Sequence, residues 1–154
     1  MFEKIIAYLK GKGWSYTENK ERGLINFSLS GDNGIFQCIA QVEEERRRLG
    51  FYSYCIATCP SDAILKMAEL LMRLNTTVFF GNFELNFETG VIVYKTSLYG
   101  EDIELTPAVL DNVIISNVYV MDNYTPILLR LIYSNLSPVE AFQLRSGAQP
   151  QLES

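Results

Sequence analysis

Three cysteines and no histidine limit the chemistry open to this chain. Histidine is the commonest general base, the commonest metal ligand and the usual switch near neutral pH. Cys55 and Cys59 have three residues between them, so they are not a C-x-x-C redox pair. On a strand that even spacing puts both thiols on one face, where Cys38 is able to join them. A soft metal would take such thiols, but a closed zinc site needs a fourth ligand and no imidazole is available. The three read better as small buried apolar residues. If Cys38 stands opposite Cys55, an adventitious disulfide under oxidation is the one redox event they allow. The carboxylates Asp102, Glu104, Asp111 and Asp122 are the candidates for acid–base work, yet no spacing pairs any two of them. There is no nucleophile elbow, phosphate loop or metal triad. The expectation is a protein with no catalytic residue, cofactor or metal, and so not an enzyme.

Charge and composition narrow the partners. The 154 residues carry 13 basic and 18 acidic side chains, a net charge of −5. Phosphate binding wants a basic face, so nucleic acid is not the expected partner. A hydrophobic content of 48% with 20% charged residues suits one soluble domain with a sizeable core. Residues 1–146 are expected to form it, with 147–154, small and polar, as a disordered tail. Ile5-Ile6-Ala7-Tyr8-Leu9 lies between Lys4 and Lys10 and is too short for a signal core. No run reaches the roughly 18 apolar residues of a membrane span. An odd cysteine count without a signal peptide points to the reducing cytoplasm.

The elements that must position these residues are legible from periodicity. Phe2, Ile5, Ile6 and Leu9 recur at helical spacing, and Gly11 or Gly13 ends the run. Trp14 and Tyr16 alternate with polar residues, as do Ile25, Phe27 and Leu29, which predicts two strands. Gly31-Asp32-Asn33-Gly34 is a turn, and residues 35–42 and 51–58 are the next strands. Between them lies Glu43-Glu44-Glu45-Arg46-Arg47-Arg48, read as a solvated hairpin end rather than an electrostatic docking tip. A turn centred on Arg46-Arg47 sets Cys38 opposite Cys55, Phe36 opposite Ala57 and Val42 opposite Phe51. A second hairpin turning at Thr89-Gly90 sets Phe87 opposite Ile92, Leu85 opposite Tyr94 and Glu84 opposite Lys95. Phe51, Tyr52, Tyr54, Tyr94 and Tyr99 read as core and cross-strand packing, with a groove for an extended peptide as the competing reading.

Thr106-Pro107 opens a long helix, since Thr caps and Pro suits the first turn. Leu110, Val113, Ile114, Asn117, Met121, Tyr124, Leu128 and Leu131 share one of its faces. The β-branched run from Val113 to Met121 leaves a strand open there. Pro126 removes a backbone donor and crowds the Asp122 carbonyl, which predicts a kink or break near residues 123–125. Ser137-Pro138 begins a last short helix.

The central helix opens at Pro60-Ser61-Asp62 and runs to Asn75. Its apolar residues cover roughly 220° of the wheel, where a helix resting on one sheet needs about 100°. Such a helix meets two neighbours: the sheet, and either the C-terminal helix or a second copy of the chain. Leu65, Met67, Leu70, Met72 and Leu74 are therefore the candidate protein interface.

The order of elements, with residues 71–75, Gly81-Asn82-Phe83-Glu84-Leu85, Glu88-Thr89-Gly90, residues 122–126 and Ser137-Pro138-Val139-Glu140-Ala141, resembles the YbjN-like family. Members of that family are labelled bacterial sensory transduction regulators, and their fold is similar to type III secretion chaperones. These residues span the second half of the chain and are scaffold rather than reactive groups. The resemblance implies an α+β fold: an antiparallel sheet with helices mainly on one face, in the order α-β-β-β-β-α-β-β-α-α. It also implies a chaperone-like or regulatory protein-binding module, and a homodimer. A small-ligand sensor, or an enzyme with a site between sheet and long helix, is the alternative reading.

Overall fold

The structure is a computed structural model that describes residues 1–100 and 102–147. Helix α1, Phe2–Lys12, buries Phe2, Ile5, Ile6 and Leu9 along one stripe. Gly13 ends it at φ 70°, a left-handed conformation that glycine adopts without strain. Four antiparallel strands follow: β1 Tyr16–Asn19, β2 Leu24–Ser30, β3 Ile35–Glu43 and β4 Arg48–Tyr54. A 3-10 turn, Ser61–Ala63, leads into α2, Ile64–Asn75. Then come β5 Asn82–Leu85 and β6 Ile92–Tyr99, the long helix α3 Pro107–Tyr133, the short α4 Pro138–Gln143, and a closing 3-10 turn, Leu144–Gly147. The expected disordered tail begins at Gly147, which instead closes that turn; 148–154 lie outside the described residues.

The six strands form one open sheet in the order β1-β2-β3-β4-β6-β5, every neighbour antiparallel. Burial alternates strictly along β2, β3 and β4, so one face of the sheet is covered and the other is not. The covered face carries Ile25, Phe27, Phe36, Ala40, Phe51 and Tyr94 into the core. Helix α3 lies across β4 and β6, α2 sits on β5, and α4 bridges α2 and α3. This is the α+β architecture, and the element order, expected from the sequence.

Both hairpin registers differ from expectation by two residues. Cys38 faces Ser53 rather than Cys55, Ala40 faces Phe51, and Val42 faces Leu49. The last pair is Glu43–Arg48, joined by an ion pair of 2.7 Å. Four residues make the turn, with Arg47 at φ 50°. The cause is tertiary: Glu44 is drawn away to the chain start, where its carboxylate accepts from the Met1 ammonium at 2.7 Å. In the second hairpin Leu85 faces Ile92 and Phe83 faces Tyr94. Asn86 builds a wider turn than a two-residue one, its Oδ1 accepting the N–H groups of Glu88 and Thr89, each at 2.9 Å. A slip of two keeps every side chain on its expected face, so the core is the same in either register. Glu84 and Lys95 still meet diagonally at 3.4 Å. Strand β4 also stops at Tyr54, short of the expected end at residue 58.

Helix α3 runs unbroken through Pro126, contrary to the expected kink or break, and Val113 to Met121 is helical within it. The orphaned Asp122 carbonyl is taken by the Asn33 side-chain amide at 3.0 Å. The missing helical donor is thus replaced from the sheet, and the helix has no need to open there.

Candidate functional site

The middle of the ground between sheet and long helix, where a small-molecule site was the alternative expectation, is filled; hollows remain at its margins, about 550 Å³ between Leu29 and Tyr119 and about 480 Å³ between Leu98 and Val109. Asn117 is fully buried there on α3. Its Nδ2 donates to the carbonyls of Phe51 (3.2 Å) and Tyr94 (2.9 Å) and to Thr96 Oγ1 (3.1 Å). Ser53 Oγ donates to Asn117 Oδ1 at 2.5 Å, and Thr96 Oγ1 to the Val113 carbonyl at 2.7 Å. Every polar atom of this cluster has a partner, so it ties α3 to β4 and β6 and has no donor left for a ligand. Among the described residues no buried side-chain nitrogen or oxygen lacks a partner.

The candidate acid–base groups are dispersed. Asp122, 7% exposed, accepts the backbone N–H groups of Asp32 (2.9 Å) and Asn33 (2.8 Å) and so clamps the turn after β2. Asp111 accepts from the Tyr8 hydroxyl at 2.7 Å and pairs with Lys12 at 2.8 Å. The Lys12 ammonium, and then the Tyr8 hydroxyl, hold its carboxyl below the ordinary range. Burial, and then Asp111, push the Tyr8 phenol up. Asp102 and Glu104 stand exposed on the loop before α3. None of the four pairs with another.

The cysteines do not converge. Cys38 lies in the core, where burial pushes its thiol up to about 12. Burial raises Cys55 and Cys59 as well, so all three stay protonated and weakly nucleophilic at neutral pH. Cys55 lies beyond the end of β4, and the pairing on which a Cys38–Cys55 disulfide rested is absent. No group of cysteines and carboxylates suited to a metal occurs among the described residues.

The surfaces are more informative. The structure divides the five candidate interface residues of α2. Met67, Leu70 and Leu74 are fully buried in the protein's own core against β5, α3 and α4, and are withdrawn from any external partner. Leu65 (78% exposed) and Met72 (69% exposed) project from the opposite side. The wide apolar arc thus has both neighbours the sequence called for within one molecule, and two residues to spare. Glu69 and Arg73 form an ion pair of 2.7 Å on the same helix.

The aromatic strand residues divide by parity. Phe51 and Tyr94 are core; Tyr52, Tyr54 and Tyr99 line the uncovered face. A shallow hollow of about 390 Å³ lies there over Gly50, walled by Tyr52, Arg48, Lys95 and Tyr99. The Lys95 ammonium rests 5.6 Å from the Tyr52 ring centre. In the charged hairpin end, Glu43 pairs with Arg48 and Arg46, and Glu44 with the N-terminus, so these charges serve the fold. Sequence reasoning missed the Asn117 cluster and the Asp122 clamp. An Asn on an apolar face, and an Asp four residues before a helical Pro, were the available signals.

No helix among the described residues is long and apolar enough to cross a membrane. No protein-family model matches the chain, and no curated protein matches it either. Among solved structures it is similar to YbjN from E. coli, described provisionally as a transcription regulator. The two superpose with a TM-score of 0.58 at 15% identity, covering 88% of this chain and 91% of that one. At that identity the likeness is one of fold: this chain has a YbjN-like fold.

Proposed function

We propose that this protein is a non-enzymatic, chaperone-like or regulatory interaction module that works in the cytoplasm as a homodimer. One observation carries the reading: Leu65 and Met72, two turns apart on one side of α2, hold large apolar side chains out in water. The rest of that helix's apolar surface is already satisfied inside. Two large apolar side chains exposed on one side of a well-packed helix offer a face on which a partner can dock. The YbjN-like fold, whose solved example is described provisionally as a transcription regulator, supports the same reading by analogy. The satisfied Asn117 cluster weighs against a small-molecule site in the middle of the space between sheet and α3.

Sedimentation velocity at low micromolar concentration tests the dimer. The expected result is a dimer that the double substitution Leu65→Ser, Met72→Ser turns into a monomer. The variant should stay folded, because neither side chain packs in the core, with a urea midpoint lower only by the lost association and the weaker helix propensity of Ser. A native chain that sediments only as a monomer removes the homodimer from this proposal.

A further inference from the structure

The two hydrogen-bonding edges of β6 are unequally occupied. Strand β4 pairs with it from Val93 to Tyr99, while β5 pairs only from Ile92 to Lys95. The Ile92 carbonyl accepts from Cys55 N–H, on the β4 side. Backbone groups alternate along an antiparallel strand, so even-numbered residues of β6 face β4 and odd-numbered ones face β5. Ser97 and Tyr99 therefore send their N–H and C=O groups past the end of β5. Among the described residues no group bonds to them. Strand β5 stops short because Gly81, at φ 94°, bends the chain beneath the edge, where the Tyr94 hydroxyl donates to the Phe80 carbonyl. The free stretch Ser97-Leu98-Tyr99 has none of the Lys, Pro or bulge that usually blunts an edge.

Directly under this edge is an apolar hollow of about 480 Å³. Leu98, Phe79, Phe80 and Ile103 line it against the first turns of α3, among them Val109 and Ser116, and the Phe79 ring is wholly in water. No basic residue lines it. Asp102 and Glu104, on either side of Ile103, are exposed and make no ion pair among the described residues.

We infer that the free edge of β6 takes an extended segment of a partner protein as an added strand. An apolar side chain of that segment fills the hollow, and a neighbouring Lys or Arg meets Asp102 and Glu104. The open backbone groups of Ser97 and Tyr99 supply the bonds of strand addition, and the hollow selects the alternate side chain. A second copy of this chain is the poorer occupant, since it brings the same acidic pair to an acidic rim. The inference rests on the reading of the chain as an interaction module, but not on its α2 face.

The test is selection on the full chain from a displayed library of random peptides roughly ten residues long. Enriched sequences should alternate apolar residues with Lys or Arg. A synthetic peptide of the enriched sequence should slow hydrogen exchange at the Ser97 and Tyr99 amides. Ser97→Pro removes only an outward N–H, which an edge tolerates, and Phe79→Ser alters a fully exposed side chain; each should weaken binding about tenfold or more at an unchanged urea midpoint. Asp102→Lys with Glu104→Lys should turn the selection toward acidic peptides. No enrichment, binding indifferent to Ser97→Pro and Phe79→Ser, or protection elsewhere on the chain would overturn the inference. So would a homodimer broken by Ser97→Pro but not by Leu65→Ser, Met72→Ser, because a second copy would then hold the edge. A dimer through α2 with no peptide binding leaves the proposed function standing and defeats this inference alone.

Discussion

Asn117 shows what one residue can decide. Its amide joins two β-strand carbonyls and two hydroxyls across the interface of α3 with β4 and β6. A buried polar cluster of this kind is costly when any member is missing, because the others are left without partners. Asn117→Ala strands the Ser53 hydroxyl and opens a void. Urea denaturation should show a loss of about 3 kcal/mol. An unchanged midpoint would mean that water replaces the amide without cost. The same scale explains the cysteines: each is raised by burial, and buried thiols of that kind pack rather than react.

At the scale of elements, the most consequential contact joins a turn to a helix. Pro126 cannot donate to the Asp122 carbonyl, and Asn33 does so instead. The Asp122 carboxylate in turn holds the N–H groups of Asp32 and Asn33. Gly31 fits because any Cβ there would lie 2.4 Å from the Asp122 carboxyl carbon. This arrangement predicts coupling between two residues that are far apart in sequence. Asn33→Ala should cost about 1 kcal/mol in the native chain and less in a Pro126→Ala background, where residue 126 supplies the helical donor. A double-mutant cycle by urea denaturation measures the difference. An equal cost in both backgrounds would remove the compensation argument.

For the whole molecule, the acid side of the stability curve is set by carboxylates spent on the fold. The Met1 ammonium, and then the Phe2 N–H, hold Glu44 below its ordinary 4.5. Arg48 does the same for Glu43, Lys20 for Glu3 and the Ser137 backbone for Glu140. A carboxyl depressed in the folded state takes up its proton more readily in the unfolded chain. The stability it adds is present above pH 4.5, the ordinary glutamate value, and is lost as pH falls through the lower folded values. Each group is exposed or nearly so, and each contribution is modest. The urea midpoint should therefore fall as pH drops below 4.5, and Glu44→Gln should make that fall shallower. A midpoint equally acid-sensitive in Glu44→Gln would show that the link between chain start and hairpin end adds nothing.

Periodicity and caps were enough to give the order of helices and strands, because each is a local pattern read by the backbone itself, although β1 begins at Tyr16 rather than at Trp14 and β4 ends at Tyr54. Thr106 and Ser137 cap their helices as expected, and the apolar face of α3 from Leu110 to Leu131 lies inside with only Tyr124 half-exposed. The faces of both hairpins were legible for the same reason, since a period of two survives a slip of two. The registers were not: Glu44 answers to the distant Met1, and Asn86 widens its turn through a local side-chain motif that a search for two-residue turns passes over. Nor was the division of the α2 residues, for a wheel shows how much apolar surface a helix has but not which neighbours arrive to cover it. The continuity of α3 and the open end of β6 likewise came from distant chain, Asn33 in one case and Gly81 in the other. Contacts across the fold, which no local pattern encodes, settled how far each element runs and what it leaves free.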